Sequence, residues 1–369
     1  MSKPIRVLHV VVNMNRGGAE TLIMNLYRNI DRSKVQFDFL TCKDGIFDNE
    51  IKELGGTIHR IPYVSEVGHF GYIKSLNDFF FRNNDYTIVH SHLNRMSGFV
   101  LRAAKKAGIS YCISHSHNTG GEGGFLSKGY KWYSGLFIPS NSDYTLACSQ
   151  AAAKWLFGKK ANYATLLNNG IEPEMFRYSP DIRMAKRKEL GISDQLVIGH
   201  VGRFTKQKNH KFLVEIFAEF VKRKPESILL LCGDGVLRKD IEKRVSELNI
   251  QTKVKFLGVR SDINQVLQAF DLFLFPSLHE GLPVTLIEAQ AAGIPCLISD
   301  QITKEVDMGL ELMKFLELKS VDSWVAELEN FSVEKRERNT SKLKRLSDRG
   351  YDIKNTARWL EDFYLSNSR

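Results

Sequence analysis

Two glutamates eight positions apart, Glu280 and Glu288, lie in the stretch HEGLPVTLIEAQAAGIP, residues 279–295. Leu286, Ile287, Ala289, Ala291 and Ala292 surround the second, which is not the setting of a glutamate on the wet face of a surface helix. Pro283 suits the first turn of a helix. Glu280 then falls in the preceding loop, and Glu288 about a turn and a half inside. The amides of Gly281, Leu282, Val284 and Thr285 gather at that helix start, where an anion is favoured. A glutamate within the helix can accept paired hydrogen bonds from a vicinal diol such as ribose.

Cations with matching chemistry lie upstream, in GRFTKQKN (202–209). Arg203 and Lys208 flank a strand-to-helix turn, and two fixed cations there suit a diphosphate. The plain alternative is two solvated loop charges, but Arg203 directly abuts the apolar run IGHVG. NRGGAE (15–20) follows the first apolar run, and Gly17 and Gly18 would let backbone approach a ligand. It is neither the G-x-G-x-x-G of dinucleotide sites nor a P-loop. HSH occurs twice, as His90/His92 and His115/His117. In a strand, residues i and i+2 share a face. Two such pairs could hold a metal, as in metal-dependent hydrolases, but no acidic ligand accompanies either pair. The other reading has one ring of each pair facing a ligand and the other packed inside. His117 is the functional candidate, since the polar, glycine-rich NTGGEGG follows it. SKGYKWYSGLFIP (127–139) mixes Lys128 and Lys131 with Tyr130, Trp132, Tyr133, Leu136 and Phe137. Lysines beside aromatics suit an anionic bilayer surface; the same spacing also fits a helix with a buried aromatic face.

These stretches must be held by regular elements, and the chain supplies them twice. RVLHVVV, VQFDFLT, TIVHSH, SYCISHSH and YTLACS read as strands separated by helical segments. After a pause near residues 168–178 the alternation restarts with QLVIGHVGRF, SILLLCGDG, KVKFLG, DLFLFPS and PCLISD. Continuous apolar runs alternating with helices predict parallel sheets covered on both faces. The expected architecture is α/β, with two Rossmann-like doubly wound domains. The expected ranges are 1–172 and 173–350, with a final helix in 351–369 packing back on the first. The 369 residues are enough for two cores.

Composition narrows the rest. No apolar run approaches a membrane span, and no secretory leader is evident at the start. Five scattered cysteines, an odd number, read as buried thiols in a reducing compartment, so a cytoplasmic location is expected. The net charge is +10. Residues 1–178 hold 21 Lys and Arg against 14 Asp and Glu, a net +7. No RNP, zinc-finger or basic-helix signature accompanies this charge, so nucleic acid is not the expected partner. A phosphorylated substrate or an anionic membrane surface is.

Taken together, GGAE after the first strand, GRFTKQKN at the start of the second domain, and the Glu280/Glu288 pair with EGLP and EAQAAGIP resemble the retaining glycosyltransferase family 4. Its fold, GT-B, sets two Rossmann-like domains facing across a cleft. The layout is similar to capsule and exopolysaccharide transferases, and the resemblance covers nearly the whole chain. It implies a sugar-nucleotide donor, with uridine the expected base, and a glycan acceptor, polyprenyl-diphosphate-linked if it lies at the membrane. Glu288 would hold the ribose hydroxyls and Glu280 would lie against the donor sugar. Arg203 and Lys208 would bind the diphosphate, and residues Gly281, Leu282, Pro283 and Val284 would line the donor. Gly17 and Gly18 would approach the diphosphate or acceptor, and His117, or else His115, would touch the transferred sugar. No Asp-x-Asp is present, so no metal or other cofactor is expected in the transfer step. One departure is the region after LISDQITKEVD, where Gly309 stands in place of the family's glycine-rich stretch. The alternatives are a metal-dependent hydrolase built on the His pairs, a sugar-nucleotide-binding protein without transfer, and a sugar-nucleotide epimerase.

Overall fold

The computed structural model describes residues 3–120, 124–330 and 340–368. The chain forms two compact units, Met1–Gly170 with Asp352–Arg369, and Ile171–Tyr351. The glycine-rich stretch after His117 falls partly outside the described residues.

The first unit is built on a seven-stranded sheet: β1 Ile5–Val10, β2 Val35–Thr41, β3 Ile58–Arg60, β4 Ile88–Ser91, β5 Tyr111–Ser116, β6 Tyr144–Ala147 and β7 Thr165–Leu166. Its order is β3-β2-β1-β4-β5-β6-β7, and every pairing is parallel. Every residue of β2 is buried, as expected of a strand covered on both faces. Tyr27 and Phe37 pack on one side, and Phe80, Val89 and Phe99 on the other. The helix Ile353–Ser366 joins the first of these clusters through Ile353, Ala357, Leu360 and Tyr364. Glu361 on that helix accepts from the Asp31 amide and from Lys34 Nζ, both at 3.0 Å.

The second unit carries a six-stranded sheet: β8 Leu196–Val201, β9 Ser227–Cys232, β10 Val254–Gly258, β11 Leu272–Phe275, β12 Cys296–Ser299 and β13 Met313–Leu316. Its order is β10-β9-β8-β11-β12-β13, again parallel. In each sheet the chain builds outward in one direction and then returns to the middle to build in the other. The reversal lies between β1 and β4 in one unit and between β8 and β11 in the other. Loops leaving adjacent strands in opposite directions open a crevice at their carboxyl ends, and ligands of doubly wound sheets bind there.

The helix Phe125–Gly135 settles between the two readings of its aromatics. Ser134 is its buried residue, whereas Phe125 and Leu126 are 92% and 86% exposed and Trp132 is 56% exposed. Tyr130 is half-buried, with its hydroxyl 2.9 Å from His69 Nδ1. The aromatic face is therefore largely a surface feature. Among the described residues, no helix is long and apolar enough to cross a membrane. All five cysteines are free thiols, four of them buried.

Candidate functional site

At the reversal point of the second sheet, β8 ends at Val201 and its neighbour β11 at Phe275. Small residues let the loops close up. A Cβ on Gly202 would sit 2.7 Å from His200 Nε2 and 3.3 Å from the Lys208 side chain. One on Gly233, at φ +132°, would sit 2.1 Å from the Gly202 carbonyl oxygen. Only glycine fits that approach.

The loops after β8 and β11 are then fastened to each other. The Leu278 amide donates to Gln207 O at 2.8 Å. Asn209, left-handed at φ 55°, donates through Nδ2 to Pro276 O at 3.1 Å. Lys208 Nζ donates to Glu280 Oε1 at 2.7 Å and lies 4.6 Å from the centre of the Phe275 ring. Gln207 Nε2 reaches Glu280 Oε2 at 3.2 Å and His279 O at 2.9 Å. Both oxygens of Glu280 are thus engaged. Arg203 is exposed, and among the described residues no side-chain partner restrains it.

The helix that follows is Val284–Ala291, and Pro283 is its N-cap in extended conformation (φ −72°, ψ 107°). It therefore starts one residue later than Pro283 suggested, and Glu288 is its fifth residue. Gly281 and Leu282 lead into that start, with Leu282 buried. Glu288 is half-buried and makes no side-chain hydrogen bond among the described residues. Burial pushes its carboxyl up to about 7 from an ordinary 4.5, because desolvation disfavours the charged form. The hydroxyls of Ser277 and Thr285 are buried without a hydrogen-bond partner. The sequence marks Thr285 only through its amide, and Ser277 and Gln207 not at all, since isolated Ser, Thr and Gln side chains carry no spacing signal.

Gly17, Gly18 and His117 belong to the other unit. Gly17 caps the helix Gly18–Asn29, the first helix after β1, in an extended conformation any residue can adopt (φ −126°, ψ 170°). A Cβ at Gly18 would meet nothing within 4 Å. His117 follows the end of β5, and its amide donates to Asn94 Oδ1 at 3.0 Å.

The histidine pairs differ from expectation. His90, His92, His115 and His117 are all buried, so neither pair turns one ring outward. The reason is register: His9 on β1 pairs with His90 on β4, and alternate positions put all five rings on one face of three adjacent strands. His9 Nδ1 lies 3.0 Å from His92 Nε2, and His92 Nδ1 lies 2.8 Å from His117 Nε2. His90 Nε2 lies 3.2 Å from His115 Nδ1, and its Nδ1 lies 2.6 Å from the Tyr364 hydroxyl. Burial lowers all five basicities, His9 and His117 to about 3 and the others well below the usual imidazole value. The rings are neutral. In the sequence His9 stands out only as a polar break in VLHVVV, and Tyr364 only as an apolar-face position of the last helix, aligned with Ile353, Ala357 and Leu360.

The Glycosyltransferase Family 4 description matches residues 16–175, and Glycosyl transferases group 1 matches residues 182–308. The putative glycosyltransferase EpsF of Bacillus subtilis (strain 168) is 37% identical over 373 residues, covering 97% of this chain and 96% of its own. The chain belongs to glycosyltransferase family 4. A second relative of this glycosyltransferase is the UDP-Gal:alpha-D-GlcNAc-diphosphoundecaprenol alpha-1,3-galactosyltransferase of Escherichia coli, 28% identical over 66% of each chain. Its fold is that of Anabaena HepE, solved in complex with UDP-glucose: TM-score 0.80 at 17% identity, over 98% of this chain and 100% of that one. The glycosyltransferase is accordingly a GT-B protein of a retaining family, with a nucleotide sugar as donor substrate.

Proposed function

We infer that this glycosyltransferase moves a hexosyl or N-acetylhexosaminyl group, with retention, from a UDP-sugar to a polyprenyl-diphosphate-linked glycan in capsule or exopolysaccharide assembly. The observation that carries the donor side is the pairing of Lys208 with Glu280 beside an unrestrained Arg203, at the start of the helix that holds Glu288. Glu280 neutralises Lys208, so Arg203 and the helix amides provide the net positive potential for a diphosphate. Glu288 accepts from the ribose hydroxyls. Glu280 lies against the sugar, with Gly281, Leu282, Pro283 and Val284 lining the diphosphate. Gly17 and Gly18 serve the diphosphate or acceptor, and His117 touches the sugar. The boundaries follow the two units, with the helix Ile353–Ser366 belonging to the acceptor-side one. Support for uridine and for a lipid-linked acceptor comes from the name of the E. coli relative and, for uridine, from the ligand of HepE.

The transfer step requires no metal, since preorganised cations and amides stabilise the departing diphosphate. The test is transfer from UDP-hexoses to a polyprenyl-diphosphate glycan in EDTA. Product with a retained anomeric configuration is expected. UDP binding without turnover would instead indicate a binding protein, and an epimerised UDP-sugar formed without acceptor an epimerase.

The acceptor places the work at the cytoplasmic face of a membrane. The exposed Phe125, Leu126 and Trp132, with Lys128 beside them, form the contact in this reading. Vesicles rich in anionic lipid should bind the protein at low salt and release it as salt rises. Trp132→Ser should weaken that binding. No association at low salt would remove the membrane contact from the proposal.

A further inference from the structure

The five-histidine column in the first unit is left unused by the transfer chemistry, apart from His117. A chain of neutral imidazoles can satisfy itself only internally, because each ring has one donor and one acceptor nitrogen. Here the column leaves three buried ring nitrogens with no partner: His9 Nε2, His115 Nε2 and His117 Nδ1. Each such orphan is unfavourable, because a buried polar atom that gives up water without gaining a partner loses its hydrogen bond. Two triads bring one ring nitrogen from each member within 4.8 Å of the others: His9/His90/His92 and His92/His115/His117. The first is blocked, because both nitrogens of His90 are engaged, by Tyr364 and by His115.

We propose that His92, His115 and His117 form a binding site for one borderline divalent transition-metal ion of the zinc class. The hydrogen bonds indicate which nitrogens face it. His92 Nε2 is turned to His9, which leaves Nδ1. His115 Nδ1 is turned to His90, which leaves the orphaned Nε2. His117 offers Nε2, already opposite His92 Nδ1 at 2.8 Å. Imidazole nitrogens about 2.0–2.1 Å from a tetrahedral ion sit about 3.3 Å apart, so His92 Nδ1 and His117 Nε2, at 2.8 Å, would part by about half an ångström to admit it. His9 and His90 then act as the outer partners that fix ring orientation, and Tyr364 in turn holds His90. Histidine ligands are ordinarily oriented in this way through their second nitrogen. Three histidines leave a fourth position for water, and imidazole without carboxylate selects zinc-class ions over magnesium or calcium.

The site ties together the carboxyl ends of β4 and β5, and through its outer partners β1 and the helix Ile353–Ser366. It shares only His117 with the transfer reading, and its failure would leave that reading untouched. The test uses the full-length protein, stripped of metal and then given one equivalent of Zn²⁺. After desalting, elemental analysis should find about one ion per chain, with a raised melting temperature. Co²⁺ in its place should show the intense visible bands of a four-coordinate site. His92→Gln and His115→Gln should abolish retention, while His279→Gln, at an exposed position of the other unit, should not. Substoichiometric retention, or retention unchanged in both triad variants, would overturn the proposal. If the variants do not fold, the wild-type Co²⁺ spectrum decides: weak octahedral bands mean surface ions only.

Discussion

Glu288→Ala is expected to weaken UDP binding about a hundredfold. Two hydrogen bonds from ribose hydroxyls to a carboxylate contribute about 1.5 kcal/mol each at the low end for charged acceptors, and every 1.4 kcal/mol is about tenfold in Kd. Titration of UDP, GDP and ADP into wild type and variant, in EDTA, measures this and names the base. Unchanged UDP affinity in the variant would remove Glu288 from the donor site. The carboxyl's position near 7 adds a pH signature. Only the ionised form accepts both hydroxyls, so affinity should fall as pH drops below about 7, approaching tenfold per unit. Stability runs the other way. The folded carboxyl holds its proton above the ordinary 4.5, so its contribution is full below that value and is lost as pH rises through about 7. Melting temperatures of wild type and Glu288→Gln from about pH 5 to about pH 8 should diverge accordingly.

Arg203→Ala should lower kcat about 10²–10³-fold, the usual consequence of removing one hydrogen-bond donor from a developing negative charge. Of the two cations assigned to the diphosphate, Lys208 is already committed to Glu280 at 2.7 Å, while Arg203 is exposed and unrestrained. The free guanidinium can follow the diphosphate as its charge grows, so the loss should appear in kcat more than in donor affinity. Arg203→Lys should recover part of the rate, because an ammonium keeps the charge but not the planar fork. A turnover number near wild type in Arg203→Ala would exclude it from the mechanism.

Much of the fold is legible in local pattern. The runs RVLHVVV, VQFDFLT, SILLLCGDG and DLFLFPS are strands because β-rich apolar residues of that length, set between helical periodicities, have no better way to be buried. The doubly wound class and the family follow from that alternation and from GRFTKQKN and the glutamate pair. The loops that carry Arg203, Lys208 and Glu280 could be placed after strands for the same reason. Their mutual contacts could not. Lys208 and Glu280 stand 72 residues apart and meet only because β8 and β11 are neighbours, and strand order is set by crossover connections that local periodicity does not encode.

The histidines show the limit most clearly. Two HSH pairs in sequence suggest one packed and one exposed ring each. The register of β1 against β4, and of β4 against β5, instead stacks both pairs with His9 in a buried column and closes it with Tyr364 from the last helix. Likewise, the spacing of SKGYKWYSGLFIP fits a buried or an exposed aromatic face equally, and only the packing of neighbouring elements left Trp132 at the surface. The sequence by itself determined which segments become strands and helices and which residue types stand at their ends. Tertiary structure alone decided which of those ends meet, and hence which charges are paired, which rings are dry and which carboxyl holds its proton. Partner and solvation depend on neighbours distant along the chain.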